Sequence, residues 1–345
     1  MKKTSCILTV FCIILMASTV FAGQKYKEDP CRSMTPALVG GPAAHSSDLL
    51  TMRYLAAANF ELTYRNQVIL LSTFYKHPEI VNLPDVKRAD YIFMGHEDGD
   101  HDEQVAPVVK QTGALLYGNQ NVINHAVADG VPAEKTRLLK SGDVVQFDGF
   151  TVEAVMMCHS GSNAPEGPYG PNCYQRPALQ YYGQAAEGIN LGGTCFAPCD
   201  TTPRFGTCRQ ILAYLFTFGK DFRLLFYDSA ATLVSDDIKA LMERIGGSVD
   251  VGTVAHAGGH SITQVPYTMV PIKVMNPRLF IPNHHLGMNY QMVAEDLFQA
   301  IRDEMPDTEP LSLLYKEPLC FNVKSHIATK VSPLGGVWSY DMKKK

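Results

Sequence analysis

Between residues 96 and 101 the chain reads His96-Glu97-Asp98-Gly99-Asp100-His101. Two imidazoles and three carboxylates in six residues form a donor set suited to zinc, iron or manganese. Ligands from one tight turn can face two neighbouring ions, and Gly99 would let the backbone bend sharply there. The same side-chain types recur at the ends of later apolar runs, as His159, Asp228 and the pair His284-His285. A solvated acidic loop would explain Glu97, Asp98, Asp100, Asp102 and Glu103 on their own. It would not explain the later histidines and aspartate.

Rigid elements must bring these positions together, and the surrounding pattern supplies them. Tyr91–Met94 is a short apolar run that reads as a buried strand leading into Gly95-His96. Residues 144–147 and Phe150–Met157 read as a hairpin around Asp148-Gly149 that ends at Cys158-His159. Residues 222–227 form a strand ending at Asp228, 249–254 one ending at Ala255-His256, and 278–281 one ending at Pro282-Asn283-His284. Strand ends suit ligands because a sheet fixes their positions. Further strands are expected at 114–117 and Ile211–Phe218, and a hairpin of 55–62 with 67–74 around Arg65-Asn66. Helical spacing marks 103–112, 119–129, 235–245, 267–275 and 291–303. Strands and helices alternate, so the class is α/β.

The 345 residues are 46% hydrophobic and 19% charged, which is globular composition and argues against disorder. The net charge is −4 and no basic cluster stands out, so a general nucleic-acid binder is excluded. Lys2-Lys3, an apolar stretch over residues 6–20, and Val20-Phe21-Ala22 match a secretory signal peptide cleaved after Ala22. The mature chain is then expected to be periplasmic or secreted, without a stable membrane span. Cys6 and Cys12 would leave with the leader, and an odd number of the nine cysteines would remain. Cys173, Cys195, Cys199 and Cys208 fall in a Cys/Gly/Pro-rich insertion at about 160–209, where local disulfides or a zinc site are both open readings. The expected organisation is a leader at 1–22 and a single domain over 23–345 that carries this insertion.

With these motifs in this order, the chain resembles the metallo-β-lactamase fold superfamily, in its single-domain lactonase and phospholipase branch. The signature there is H-x-H-x-D-H after a buried strand, followed by a lone His, a lone Asp and a last His. Here Tyr91–Met94 and His96 to His101 supply the first motif, and the resemblance covers residues 50–300. It implies a four-layer αββα sandwich with the site at one edge between two sheets. It also implies two divalent cations, with zinc as the leading identity. His96, Asp98 and His159 would hold one ion, Asp100, His101 and His284 the other, and Asp228 would bridge them. A metal-bridging hydroxide would attack an ester, lactone or phosphodiester bond of a small-molecule substrate. Asp100 and His256 are the candidates for a part in catalysis. His256 sits by two glycines and His260, where it could bind substrate or move a proton; a structural histidine is the competing reading.

Two departures from the family pattern carry consequences. Asp98 stands where a second His is usual. A carboxylate there hardens that position and brings iron or manganese into play, as does the Glu of the di-iron branch of this fold. The family often places an Asp near Phe74 to support the ligand turn, yet Leu71-Ser72-Thr73-Phe74-Tyr75 contains none, so the turn must be held differently. A redox di-iron protein and a non-catalytic metal- or partner-binding module are the alternatives to the hydrolase.

Overall fold

The structure is a computed structural model that describes residues 48–74, 82–97, 99–157, 211–227, 234–256, 261–284, 294–331 and 337–343. The expected leader, Cys158, the insertion at 160–209 and His260 lie outside the described residues.

Among the described residues, sixteen strands form two sheets. The first contains β1 (Leu49–Ala56), β2 (Asn59–Tyr64), β3 (Gln67–Leu71), β4 (Tyr91–Met94), β5 (Leu115–Gly118), β6 (Thr136–Leu138), β14 (Pro318–Asn322), β15 (Ile327–Val331) and β16 (Val337–Asp341), in the order β16-β15-β14-β1-β2-β3-β4-β5-β6. The second contains β7 (Val144–Gln146), β8 (Phe150–Met157), β9 (Ile211–Phe218), β10 (Phe222–Phe226), β11 (Val249–Ala255), β12 (Pro277–Asn283) and β13 (Glu309–Pro310), in the order β13-β12-β11-β10-β9-β8-β7. The α-helices are α1 (Gly99–Asp102), α2 (Val105–Thr112), α3 (Gln120–Ala128), α4 (Asp236–Arg244), α5 (Ser261–Met275) and α6 (Glu295–Glu304), with short 3-10 turns at Leu83–Asp85 and Ala133–Lys135. None of these helices is long and apolar enough to cross a membrane.

The sequence of β9 shows why the layers stack as they do. Its run Ile-Leu-Ala-Tyr-Leu-Phe-Thr-Phe is apolar on both faces, as a strand buried on both sides requires. Leu212, Tyr214, Phe216 and Phe218 enter the core between the sheets, where Phe60, Phe93, Phe150 and Leu279 meet them. Ile211, Ala213 and Leu215 face the other way, against Ile238 and Leu241 of α4, Ile272 of α5 and Leu297 of α6. On the far side, Leu70, Ile92 and Leu116 pack against Val108 of α2 and Val122 of α3. The result is a four-layer αββα sandwich. Its centre is rich in aromatic rings: Phe93 stacks on Tyr117 at 4.9 Å and meets Tyr214 and Phe216 edge-on at 5.2 and 5.3 Å. Each such pair adds about 0.5–1.5 kcal/mol beyond burial.

Register brings the strand ends to one edge. β10, β11 and β12 run parallel, pairing Phe226 with Thr253 and Ala255 with Asn283. In the other sheet β3, β4 and β5 run parallel, pairing Leu71 with Phe93 and Met94 with Gly118. The two sheets are tied at this edge: Leu212 N donates to Gly95 O at 3.0 Å, and Tyr214 Oη donates to Met94 O at 2.7 Å.

Three sequence expectations are corrected. Residues 55–62 are not one strand, because the chain reverses at Ala57-Ala58 with Ala57 at φ +49, a turn that contains no Gly or Pro. Gly99 does not mark a bare bend; it opens the one-turn helix α1, and a break at Glu103-Gln104 separates α1 from α2. Helix α5 begins at Ser261, ahead of the expected start at 267, and runs through Pro266 and Pro271. Strands β14 to β16 extend the first sheet with residues beyond 300.

Candidate metal centre

Three of the expected ligand histidines meet at the shared edge. His96 follows β4 and is fully buried. The backbone carbonyl just before it, on Gly95, accepts from Leu212 N and from Asn119 Nδ2, both at 3.0 Å. Asn119 also caps α3 by accepting from Val122 N at 2.9 Å. A helix cap and a strand of the opposite sheet thus hold the exit of β4. His101 lies in α1 with its ring centroid 4.0 Å from that of His96. His284 follows β12 at φ +58, and its N–H donates to Ala57 O at 2.8 Å. That reversal brings its Nε2 to 3.0 Å from Nε2 of His101.

The family pattern left open what holds the turn, and the structure supplies it. Ser72 Oγ lies 3.0 Å from His101 Nδ1. Thr73 donates to His101 O twice, from its N–H at 2.8 Å and from Oγ1 at 3.1 Å. Sequence reasoning missed these two residues. The only signal was the absence of the usual Asp in Leu71-Ser72-Thr73-Phe74-Tyr75.

The donor set fits a transition metal. Two imidazole nitrogens bound to one tetrahedral ion at about 2.05 Å stand roughly 3.3 Å apart, close to the spacing between His101 and His284. Ser72 at Nδ1 is the outer hydrogen bond that ligand histidines typically make. Among the described residues, no group of three or more His, Cys, Asp or Glu side chains is arranged around a single point. Asp98, His159, Asp228, His285 and the Asp100 side chain lie outside the described residues.

His256 follows β11, and its N–H donates to Asn283 O at 2.8 Å, one residue before His284. The ring is fully buried, with Nδ1 at 3.1 Å from Thr268 Oγ1 of α5. Nε2 has no hydrogen-bond partner among the described residues. Burial pushes its pKa down to about 4, against a smaller upward pull from the Asp296 carboxylate. The ring is therefore neutral at pH 7. Next to His101, burial raises the Asp102 carboxyl to about 6, with His125 Nδ1 at 3.2 Å opposing the shift.

No protein-family model matches the chain. It is 25% identical over 119 residues to a UPF0173 metal-dependent hydrolase of Methanopyrus kandleri, covering 34% of this chain and 51% of that one. It is 24% identical over 211 residues to a UPF0173 metal-dependent hydrolase of Carboxydothermus hydrogenoformans, covering 61% and 72%. The chain thus spans about half the length of the first of these relatives. Among solved structures, it superposes on Igni18, a metallo hydrolase of Ignicoccus hospitalis, with a TM-score of 0.52 and 12% identity over 79% of this chain and 98% of that one. It also superposes on CmlA, a diiron β-hydroxylase of Streptomyces venezuelae, with a TM-score of 0.50 and 12% identity over 76% and 53%.

Proposed function

The chain has the metallo-β-lactamase fold, and on that premise we propose that it is an exported metal-dependent hydrolase acting on an ester, lactone or phosphodiester bond. The convergence of the buried His101 and His284 at the shared sheet edge, with His96 packed against His101, carries this reading. Similarity to proteins named metal-dependent hydrolases supports it.

In this reading His96, Asp98 and His159 would hold one ion, Asp100, His101 and His284 would hold a second, and Asp228 would serve both. When bound, the ions supply Lewis acidity and a nucleophile that is reactive near neutral pH. The protein contributes position and exclusion of water. His96, His101 and His284 are almost entirely shielded from solvent, so charge that develops beside them is poorly screened. His256, kept neutral by burial, serves as the proton-transfer group through Nε2, while Thr268 fixes its other nitrogen. Zinc is the leading metal. Asp98 and the likeness of the fold to a diiron protein favour iron as the second identity, and with it a redox role.

Export rests on Lys2-Lys3, the apolar run after them and the Val20-Phe21-Ala22 cleavage pattern. Cys320, buried in β14, is disulfide-bonded, which supports an oxidising compartment.

A screen of generic esters, lactones and phosphodiesters, repeated after chelation and after metal is restored, tests the proposal. Turnover that disappears with the chelator and returns with metal is the expected result. Turnover that is indifferent to chelation would refute it.

A further inference from the structure

We infer that Ser72 is a positioning residue that orients the His101 ring and accepts from Nδ1–H in the tautomer whose Nε2 lone pair faces a bound cation. This rests on the metal-site reading above and identifies the group that replaces the missing support.

Ser72 sits directly after β3 at φ +63, in the left-handed region that a non-glycine residue enters at a cost of about 1–2 kcal/mol. Its N–H donates to Phe93 O at 3.1 Å, which holds the backbone in that shape. The side chain is fully buried, and the hydroxyl is delivered to His101 Nδ1, 29 residues further along the chain. The next residue, Thr73, grips the His101 carbonyl from two donors. One dipeptide therefore fixes both the ring and the backbone of His101. Ala57 and His284 also have positive φ, and they are joined by a hydrogen bond. Strained backbone of this kind persists where the surroundings over-determine it, and it gathers at functional sites.

The hydroxyl leaves one arrangement compatible with ligation. His101 Nδ1–H donates to Ser72 Oγ, and Nε2 keeps its lone pair. In the reverse arrangement the hydroxyl donates to Nδ1 and Nε2–H blocks the metal. A serine differs from a carboxylate at this position: it orients the ring and can accept from Nδ1–H without adding negative charge or raising the basicity of the ring. The ligand should therefore hold its metal less tightly than an Asp-supported one would.

The test uses the full chain with zinc alone, titrated against a competing chelator. Ser72→Gly removes the hydroxyl and relieves the left-handed strain, so the variant should melt no lower than wild type in the metal-free state. It should bind zinc about 10–100-fold more weakly. Ser72→Asp tolerates the same backbone conformation and should bind more tightly than wild type. Zinc affinity of Ser72→Gly equal to wild type, with His101→Ala impaired, would overturn the inference and leave the metal site standing. If Ser72→Gly does not fold, Ser72→Asp binding no tighter than wild type overturns it. Zinc binding unaffected by His101→Ala would remove the metal-site reading and this inference together.

Discussion

His101 and His284 are 183 positions apart in sequence, yet their Nε2 atoms stand 3.0 Å from each other in a buried setting. They come from different sheets. His101 follows β4 by way of α1, and His284 leaves β12 through a left-handed residue anchored on the β1–β2 turn. Packing of the sandwich alone would have no need of this juxtaposition. Two imidazoles facing each other through the same nitrogen are readily explained by a shared cation.

If they serve one ion, removing either should do nearly all the damage. His101→Ala and His284→Ala should each lower hydrolysis by about 10²-fold or more, and the double variant should be little worse than either single one. Rate constants for the four proteins of the cycle check this. Losses that multiply independently would argue against a common ligand role.

His256 predicts a pH dependence of stability. Its folded pKa of about 4 lies below the ordinary histidine value of 6.5. The unfolded chain therefore takes up the proton first as the pH falls. The stability due to a neutral buried ring is fully present above about pH 6.5 and is lost as the pH falls through about 4. The amount is on the order of 3 kcal/mol across that window. Denaturant midpoints measured from pH 7 to 4 should fall more steeply for wild type than for His256→Gln. Parallel curves would show that the ring does not behave as a buried neutral group.

Asn119 joins a helix cap to the site. Asn119→Ala should cost about 1–2 kcal/mol, from loss of the cap and of the bond to Gly95 O. Asn119→Asp keeps the cap acceptor but turns a buried carboxylate oxygen toward Gly95 O, so it should also lose stability and should bind metal more weakly. Unfolding curves and chelator competition separate the two effects. An Asp variant that equals wild type in both would remove Asn119 from the support of His96.

Away from the site, Arg53 and Glu61 form a fully buried ion pair between β1 and β2 at 2.5 Å, beside the Thr51–Thr63 hydroxyl pair. Arg53→Met alone strands a buried carboxylate and should cost about 3–5 kcal/mol. Combining Arg53→Met with Glu61→Leu should recover most of that loss, since a well-packed apolar pair often matches a buried salt bridge. Unfolding curves of the single and double variants check this. A double variant as unstable as the single one would show that the two side chains hold other essential contacts.

Much of the layout was legible because it is written in short-range pattern. The apolar run Tyr91–Met94 ending at Gly95-His96, the Asp148-Gly149 hairpin and the helical spacing over 235–245 each declare themselves within a few residues. The same holds for the strand-end histidines, His96 and His284. What was not legible depends on tertiary context. No local signal puts Ala57 into a left-handed turn; the bond from His284 N to its carbonyl does that. Ser72 and Thr73 look like ordinary polar residues at the end of a strand until the fold carries His101 to them. Pro266 marks a helix boundary by propensity, but α5 continues through it. His256 was legible as a strand-end residue, but its hydrogen bond to Thr268 on α5 was not.

The most direct test is the metal content of the full chain, purified without added metal or a polyhistidine tag and measured by elemental mass spectrometry. About two equivalents of divalent metal per chain are expected, with zinc leading and iron the alternative that would redirect substrate screening toward redox chemistry. His101→Ala should reduce that number. A chain that carries no metal and takes none up from zinc, iron or manganese would contradict the central claim.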